Sequence, residues 1–281
     1  APVWVCLPNR AQVEAFLGRL AAAGGALGVQ VGTFYSLYQE TLLAAGRPLL
    51  ELDEPLQHRL VRAVIDQAAQ EGALQHYLPL RNKPGLVRAL RGLIQELKQA
   101  RVEPGARLEE LALLYALYQR RLQEENWMDS EGLGWLATQA LVHSPRLLAH
   151  WAFVAVDGFD QLDVNQVAFL GRLATQVGEL WVTLTGNCDG RERLAQRRFA
   201  PPRQRLQEAL GVQPEPLPQP RRWAVPALAH LEAALFEPAA PVVAPSGAVL
   251  ALDEPNRAPE ARAVLRRVKE WLLLEGLPLR E

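Results

Sequence analysis

The chain has 281 residues, 49% hydrophobic and 22% charged, with a formal net charge of −1. That length holds one large domain or two ordinary ones. The balance is that of a soluble globular protein without a polyanion-coating surface, so any nucleic-acid contact has to come from local patches.

No run of 18 apolar residues is present, so no membrane span is expected. Residues 1–7 lack the basic start and long apolar core of a signal peptide. Of the 30 basic residues, only Lys83, Lys98 and Lys269 are lysines, and with the Ala, Leu and Pro content this suggests a GC-rich bacterial coding bias. Cys6 and Cys188 lie far apart without CxxC spacing; neither a zinc site nor a disulfide framework is indicated, and a reducing cytoplasm fits. The chain enters directly on a strand and stops at Arg280-Glu281 just after a helix, so both ends read as cut and a fragment of a longer protein is expected.

Val3 to Leu7 reads as a strand, Pro8-Asn9-Arg10 as its exit turn, and Ala11 to Ala23 as a helix with Val13, Phe16, Leu17 and Leu20 on one face. Gly24-Gly25 and Gly28 break it. Val29 to Val31 is a short strand, and Gly32 to Leu37 leads into a helix with Thr33 at its N-cap. From Asp53 to His143 helical patterns dominate: 55–70, 83–100, 108–125 and 131–142. This predicts an all-helical insertion between strands of an α/β core, with its Leu and Ala positions as bundle core.

Phe153-Val154-Ala155-Val156-Asp157 reads as a buried strand ending on an acid, at the carboxyl edge where open parallel sheets bind ligands. A helix follows with Val167, Leu170, Leu173 and Ala174 at helical spacing, then a strand from Leu180 to Thr185 closed by Gly186-Asn187. An acid so placed either holds Mg²⁺ beside a phosphate chain, with a following Glu orienting water, or simply caps the next turn. The residue after Asp157 is Gly158, which has no side chain for that work. Arg191 to Phe199 reads as a short basic helix ended by Pro201-Pro202, and 203–210 as another helix. Residues 213–226 read as an extended connection, 227–236 as a helix, 248–252 as a strand, and 260–274 as an amphipathic helix with Ala263, Val264, Val268, Trp271 and Leu272 inward.

No GxxxxGK[ST] loop, GxSxG elbow or metal-ligand spacing is present, and the five histidines are scattered. Arg191, Arg193, Arg197, Arg198, Arg203 and Arg205 either line a nucleic-acid channel or form a solvated face. Trp127, Trp135, Trp151, Trp181 and Trp223 either stack bases or pack in the core.

The order of these pieces resembles the UvrD/Rep-type superfamily 1 helicases. Gly32-Thr33-Phe34-Tyr35-Ser36-Leu37 is similar to that family's GTFHSL segment, with Tyr35 in place of His. Tyr115 to Tyr118, followed by Asn126-Trp127-Met128-Asp129-Ser130-Glu131-Gly132-Leu133, resembles its Y…Y…LDFDDL run. Val156-Asp157-Gly158-Phe159-Asp160-Gln161 to Gln166 resembles VDEFQDTNxxQ, and Leu184-Thr185-Gly186-Asn187 stands where VGD would be. The departures are that the general-base Glu is Gly158, the Gln-Asp pair is Asp160-Gln161, and the Asp of VGD is Asn187. Such erosion is similar to that of the AddB component of AddAB helicase-nucleases and the related RecC and RexB proteins. Val5-Cys6-Leu7-Pro8-Asn9 resembles the AddB strand exit LVPNR, and Leu250 to Glu260 resembles the segment where the second helicase lobe resumes.

The resemblance implies a P-loop NTPase-like parallel core at 1–50 and 146–200, a helical insertion at 51–145, a connection at 201–247 and the start of a second α/β lobe at 248–281. It implies a degenerate Walker B-like set of Asp157, Gly158, Asp160, Gln161 and Gln166 with no catalytic residue, and DNA contact at Thr33, Phe34 and Ser36, to which the basic cluster adds Arg193, Arg197 and Arg198 as expected contacts. The implied function is a non-catalytic, helicase-like DNA-binding scaffold in an ATP-dependent double-strand-break repair nuclease. Its partners would be single- or double-stranded DNA and an AddA-type helicase-nuclease subunit. ATP and Mg²⁺ would belong to a longer chain with an upstream P-loop, and a PD-(D/E)XK nuclease domain would lie downstream. Two other readings stay open: a working superfamily 1 ATPase cut after its P-loop, and a protein-interaction scaffold without a DNA role.

Overall fold

The computed structural model describes residues 2–47, 50–102, 109–186, 193–217, 225–244 and 247–277. Asn187, Cys188, Arg191 and Trp223 lie outside the described residues. The chain divides into two compact units, one of residues 1–191 and 196–215, the other of 192–195 and 216–281.

The first unit opens on β1 (Val3–Cys6), whose Trp4, Val5 and Cys6 are buried. Asn9 then starts α1 (Arg10–Ala22) by accepting the Gln12 N–H at 3.0 Å, which satisfies a donor left free at a helix start. β2 (Val29–Gly32) and α2 (Phe34–Ala44) follow. Thr33 occupies the N-cap position of α2 without a side-chain capping bond. Next come β3 (Leu50–Glu51), α3 (Glu54–Gln70), α4 (Pro84–Gln99), α5 (Glu109–Glu124), β4 (Trp127–Met128) and α6 (Ser130–His143). The chain then returns through β5 (Phe153–Phe159), α7 (Val164–Leu173), β6 (Glu179–Leu184) and, after a 3₁₀ turn at Leu194–Phe199, α8 (Ala200–Leu210). Pro201-Pro202 does not end a helix but lies in the first turn of α8, where a missing N–H costs nothing.

Four strands form one parallel sheet in the order β2-β1-β5-β6. Val3 to Cys6 stand opposite Val29 to Gly32 on one side and Phe153 to Val156 on the other. Val154 and Val156 face a core that also holds Leu37 and Leu42 of α2, Leu133 and Leu141 of α6, and Phe169, Leu170 and Leu173 of α7. This is the α/β class read from the sequence. On the opposite face α1 buries none of its residues, and Trp181 of β6 is 57% exposed.

The segment between β2 and β5 has a second core, built from Leu60, Val61, Val64 and Ile65 of α3, Leu90 and Ile94 of α4, and Leu114, Tyr115 and Tyr118 of α5. It is not all-helical: β3 and β4 pair in parallel, Leu50 opposite Trp127. Two-residue strands leave no periodicity to read. The side chains of α6, assigned to the insertion from sequence, pack into the core of the sheet instead.

A buried ion pair joins these parts. Lys98 Nζ lies 2.6 and 2.5 Å from the two carboxylate oxygens of Asp129, and both side chains are 2% exposed. Asp129 also accepts the Tyr118 hydroxyl at 2.9 Å and caps α6 through the Gly132 N–H at 2.9 Å. Burial pulls the Lys98 pKa down and Asp129 opposes the fall, while burial and then the Asp129 carboxylate push the Tyr118 hydroxyl up. Asn165 of α7 donates to the Lys98 carbonyl at 3.4 Å, tying α4 to the sheet's own helix.

In the second unit, α9 (Pro226–Ala234) and α10 (Arg257–Leu274) are described. Residues 248–252, read as a strand, are irregular and mostly exposed. α10 has no fully buried residue: of its expected inward face, Val264 and Val268 are exposed, and Ala263, Trp271 and Leu272 are half-buried. No helix among them is long and apolar enough to cross a membrane.

Lys98→Met strands the Asp129 charge in the interior. Urea unfolding should show a loss of about 3–5 kcal/mol, against under about 1 kcal/mol if the pair behaved as a surface bridge.

Candidate functional site

The carboxyl ends of the four parallel strands converge on one edge, where ligands of open α/β sheets sit. Leu7-Pro8-Asn9 leaves β1, Thr33 leaves β2, residues 157–159 complete β5 with Asp160 just beyond, and Thr185-Gly186 leaves β6. Asp157 is exposed and accepts the Thr183 hydroxyl. Asp160 accepts the Thr185 hydroxyl at 3.3 Å and faces Arg198 at 3.9 Å, both groups largely in solvent. A pair so exposed adds little stability, and it leaves the guanidinium available to a stronger anion.

β5 does not stop at Asp157, as the sequence suggested. Its ladder with β6 is regular to Val156 opposite Val182, slips, and resumes at Phe159 opposite Leu184. Gly158 makes the slip, with φ +79, a conformation that costs other residues dearly. The bulge turns Phe159 into the core, edge-on to Phe34 with ring centroids 5.1 Å apart. Asp157 does not cap the next helix either. Asp163 caps α7, its carboxylate accepting the Gln166 N–H at 2.8 Å while Gln166 Oε1 accepts the Asp163 N–H at 2.9 Å. The Gln166 side chain is thus engaged in a capping box, and Gln161 lies exposed in the loop before it.

These residues do not fit a hydrolytic nucleotide site. At position 158, where the helicase resemblance would expect a carboxylate, a Cβ would add φ strain and meet Gln12 Oε1 at 3.3 Å and Pro8 Cδ at 3.5 Å. The start of α1 is Pro8-Asn9-Arg10, with the Asn9 side chain turned onto its own helix. Among the described residues no three His, Cys, Asp or Glu side chains converge as metal ligands would.

The segment after β2 is divided in role. Phe34 is buried against Phe159 and Tyr38, which removes it from any surface a strand could touch. Ser36 lines an open groove of about 410 Å³ with Trp4, Gln39, Glu40, Leu43 and Arg47. Gly32 is closely overlaid, since a Cβ there would sit 3.0 Å from the Ser36 Cβ and 3.1 Å from the Trp4 ring. Tyr35 donates to Glu51 and accepts from Gln39 Nε2 at 2.8 Å, and burial followed by Glu51 pushes its pKa up to about 12.

The arginine cluster is split. Arg193 belongs to the second unit, where it faces Glu232 at 3.4 Å. Arg197, Arg198 and Arg203 belong to the unit of the sheet. The Arg198 guanidinium lies over the Phe199 ring at 4.6 Å, and Arg203 Nη1 lies beside Gly186 at the end of β6. Sequence reasoning missed Arg47, which follows Gly46 beyond α2 and sits in no pattern, and it missed the bulge, whose only signal was Gly158 inside an apolar run.

No family model matches the chain. A curated protein of Symbiobacterium thermophilum, the B-type subunit of an ATP-dependent helicase/deoxyribonuclease, is 27% identical over 319 aligned positions that cover the whole of this chain. The chain spans 27% of the length of that relative. The similarity is distant and runs the length of the chain.

Gly158→Ala should lower stability by about 1–2 kcal/mol, the cost of a left-handed L-residue, in urea unfolding. An unchanged midpoint would contradict the role of the bulge.

Proposed function

We propose that this chain is the helicase-like part of an AddB-type subunit of an ATP-dependent helicase-nuclease, and that it holds DNA without hydrolysing ATP. The observation that carries this reading is Gly158: a strained bulge feeding Phe159 into the core occupies the position where hydrolysis needs a carboxylate. The whole-chain similarity to the B-type subunit of a helicase/deoxyribonuclease supports the setting. The parallel order β2-β1-β5-β6, with the eroded acidic motif on an inner strand, supports a core of the P-loop NTPase kind.

In this reading the carboxyl edge is a track for single-stranded DNA. Arg197, Arg198 and Arg203 meet phosphates as point charges and forks, and the hydroxyls of Thr33 and Ser36 accompany the backbone farther along. Asp160 is the counter-ion that Arg198 leaves when a phosphate arrives. An AddA-type subunit supplies the motor, and ATP with Mg²⁺ binds there or in a longer form of this chain. The product strand of double-strand-break processing is the ligand. A working-motor reading needs a carboxylate at position 158 and has no observation in its favour.

Binding of an oligothymidylate across a salt series, with ATP turnover followed in parallel, tests the proposal. The expected result is affinity falling with salt, with log K losing about 0.7 per decade for each phosphate neutralised, and no turnover. Replacing Arg198 and Arg203 by Ala should flatten that slope by about 0.7 for each arginine. Absence of binding at low salt, or strand-stimulated ATP turnover, would overturn it.

A further inference from the structure

We infer that the cleft between α5 and α6 is a nucleobase pocket; the inference rests on the strand-binding reading above. The cleft holds about 170 Å³ and opens beside Arg47, which, like Met128, it shares with the groove lined by Ser36. A strand passing Ser36 along that groove therefore reaches Arg47 and then the mouth of the cleft.

The walls have the chemistry of a base and not of a metal or an aliphatic chain. Trp127 of β4 and Trp135 of α6 are half-buried and offer indole surface. Gln119 of α5 and Gln139 of α6 add amides that both donate and accept, so they can meet base edges without selecting one base. Gly132, Trp135 and Gln139 follow at helical spacing, which puts them on one face of α6.

The floor is the Lys98–Asp129 pair, itself buried, with residue 132 a glycine lying directly over it. A Cβ there would stand 2.7 Å from Asp129 Oδ1 and 3.3 Å from Lys98 Nζ. The two floor charges cancel each other at 2.5–2.6 Å, so the charge left over at this site is that of Arg47 at the mouth. A flat aromatic recess with amide walls, a neutral floor and one cation at its entrance fits a nucleoside whose phosphate stays on the arginine.

The test compares an oligothymidylate with an abasic strand of equal length on the whole 281-residue chain, and follows the Trp127 and Trp135 indole N–H signals by NMR during titration with thymidine monophosphate. The expected result is about tenfold tighter binding of the base-bearing strand, within the range one base–aromatic stack contributes. Trp135→Ala should abolish that preference while leaving abasic-strand affinity unchanged, Trp135→Phe should keep most of it, and both indole signals should shift with the mononucleotide. Equal affinity for the two strands with unmoved indoles would overturn the pocket and leave strand binding intact. Failure of both strands to bind would overturn strand binding, and the pocket with it. A preference that survives Trp135→Ala would place base recognition elsewhere and overturn this assignment.

Discussion

The pairing of β1 with β5 is the constraint on which the rest of the first unit hangs. It sets Val3 to Cys6 against Phe153 to Val156, segments separated by most of the unit's sequence. Closing so long a loop costs chain entropy, though the cost grows only slowly with length. The looped-out part offsets it by folding around its own core of α3, α4 and α5. Lys98 and Asp129 then fix that part to α6, and Asn165 fixes it to α7, so the insertion is anchored to the sheet at two of its helices. With this register set, Pro8 and Gln12 of the first crossover lie against Gly158 of the central strand.

That juxtaposition explains the character of the edge. At position 158 a strand can carry a catalytic side chain outward or slip one residue and send the next side chain inward. This chain takes the second course. The slip delivers Phe159 to Phe34, and Phe34 in turn packs on Tyr38. A residue of the segment after β2 is thereby committed to the core, while Ser36, two positions on, remains on the groove. In the proposed reading, a glycine in place of a hydrolytic carboxylate and the burial of Phe34 are two faces of one packing choice. The edge carries arginines and hydroxyls beside the exposed Asp157 and Asp160, and it is on the arginines and hydroxyls that the proposed strand contact rests.

Much of the sheet was legible because 153–156 and 180–182 are continuous apolar runs, although only one face of the sheet carries a dense core and Trp181 is exposed. The long helices were legible from their spacing. β3 and β4 were not, because two residues carry no period, and their pairing depends on contacts far apart in sequence. The expected strand at 248–252 failed for a different reason: its apolar run is real, but no described strand pairs with it. At the edge, the residues of the eroded motif were found, yet their roles were not. That Gln166 caps α7, that Asp157 accepts from Thr183, and that Arg193 faces Glu232 in the other unit are facts of three-dimensional neighbourhood. A run of six arginines in sequence does not say which of them share a surface.

The measurement that tests the central claim most directly is backbone hydrogen exchange with and without a bound oligothymidylate. The account predicts slower exchange at residues 33–36, 157–160 and 197–203 of the carboxyl edge, with residues 257–274 unchanged. Protection confined to residues 225–277, or none anywhere on the sheet's edge while the strand is bound, would contradict it.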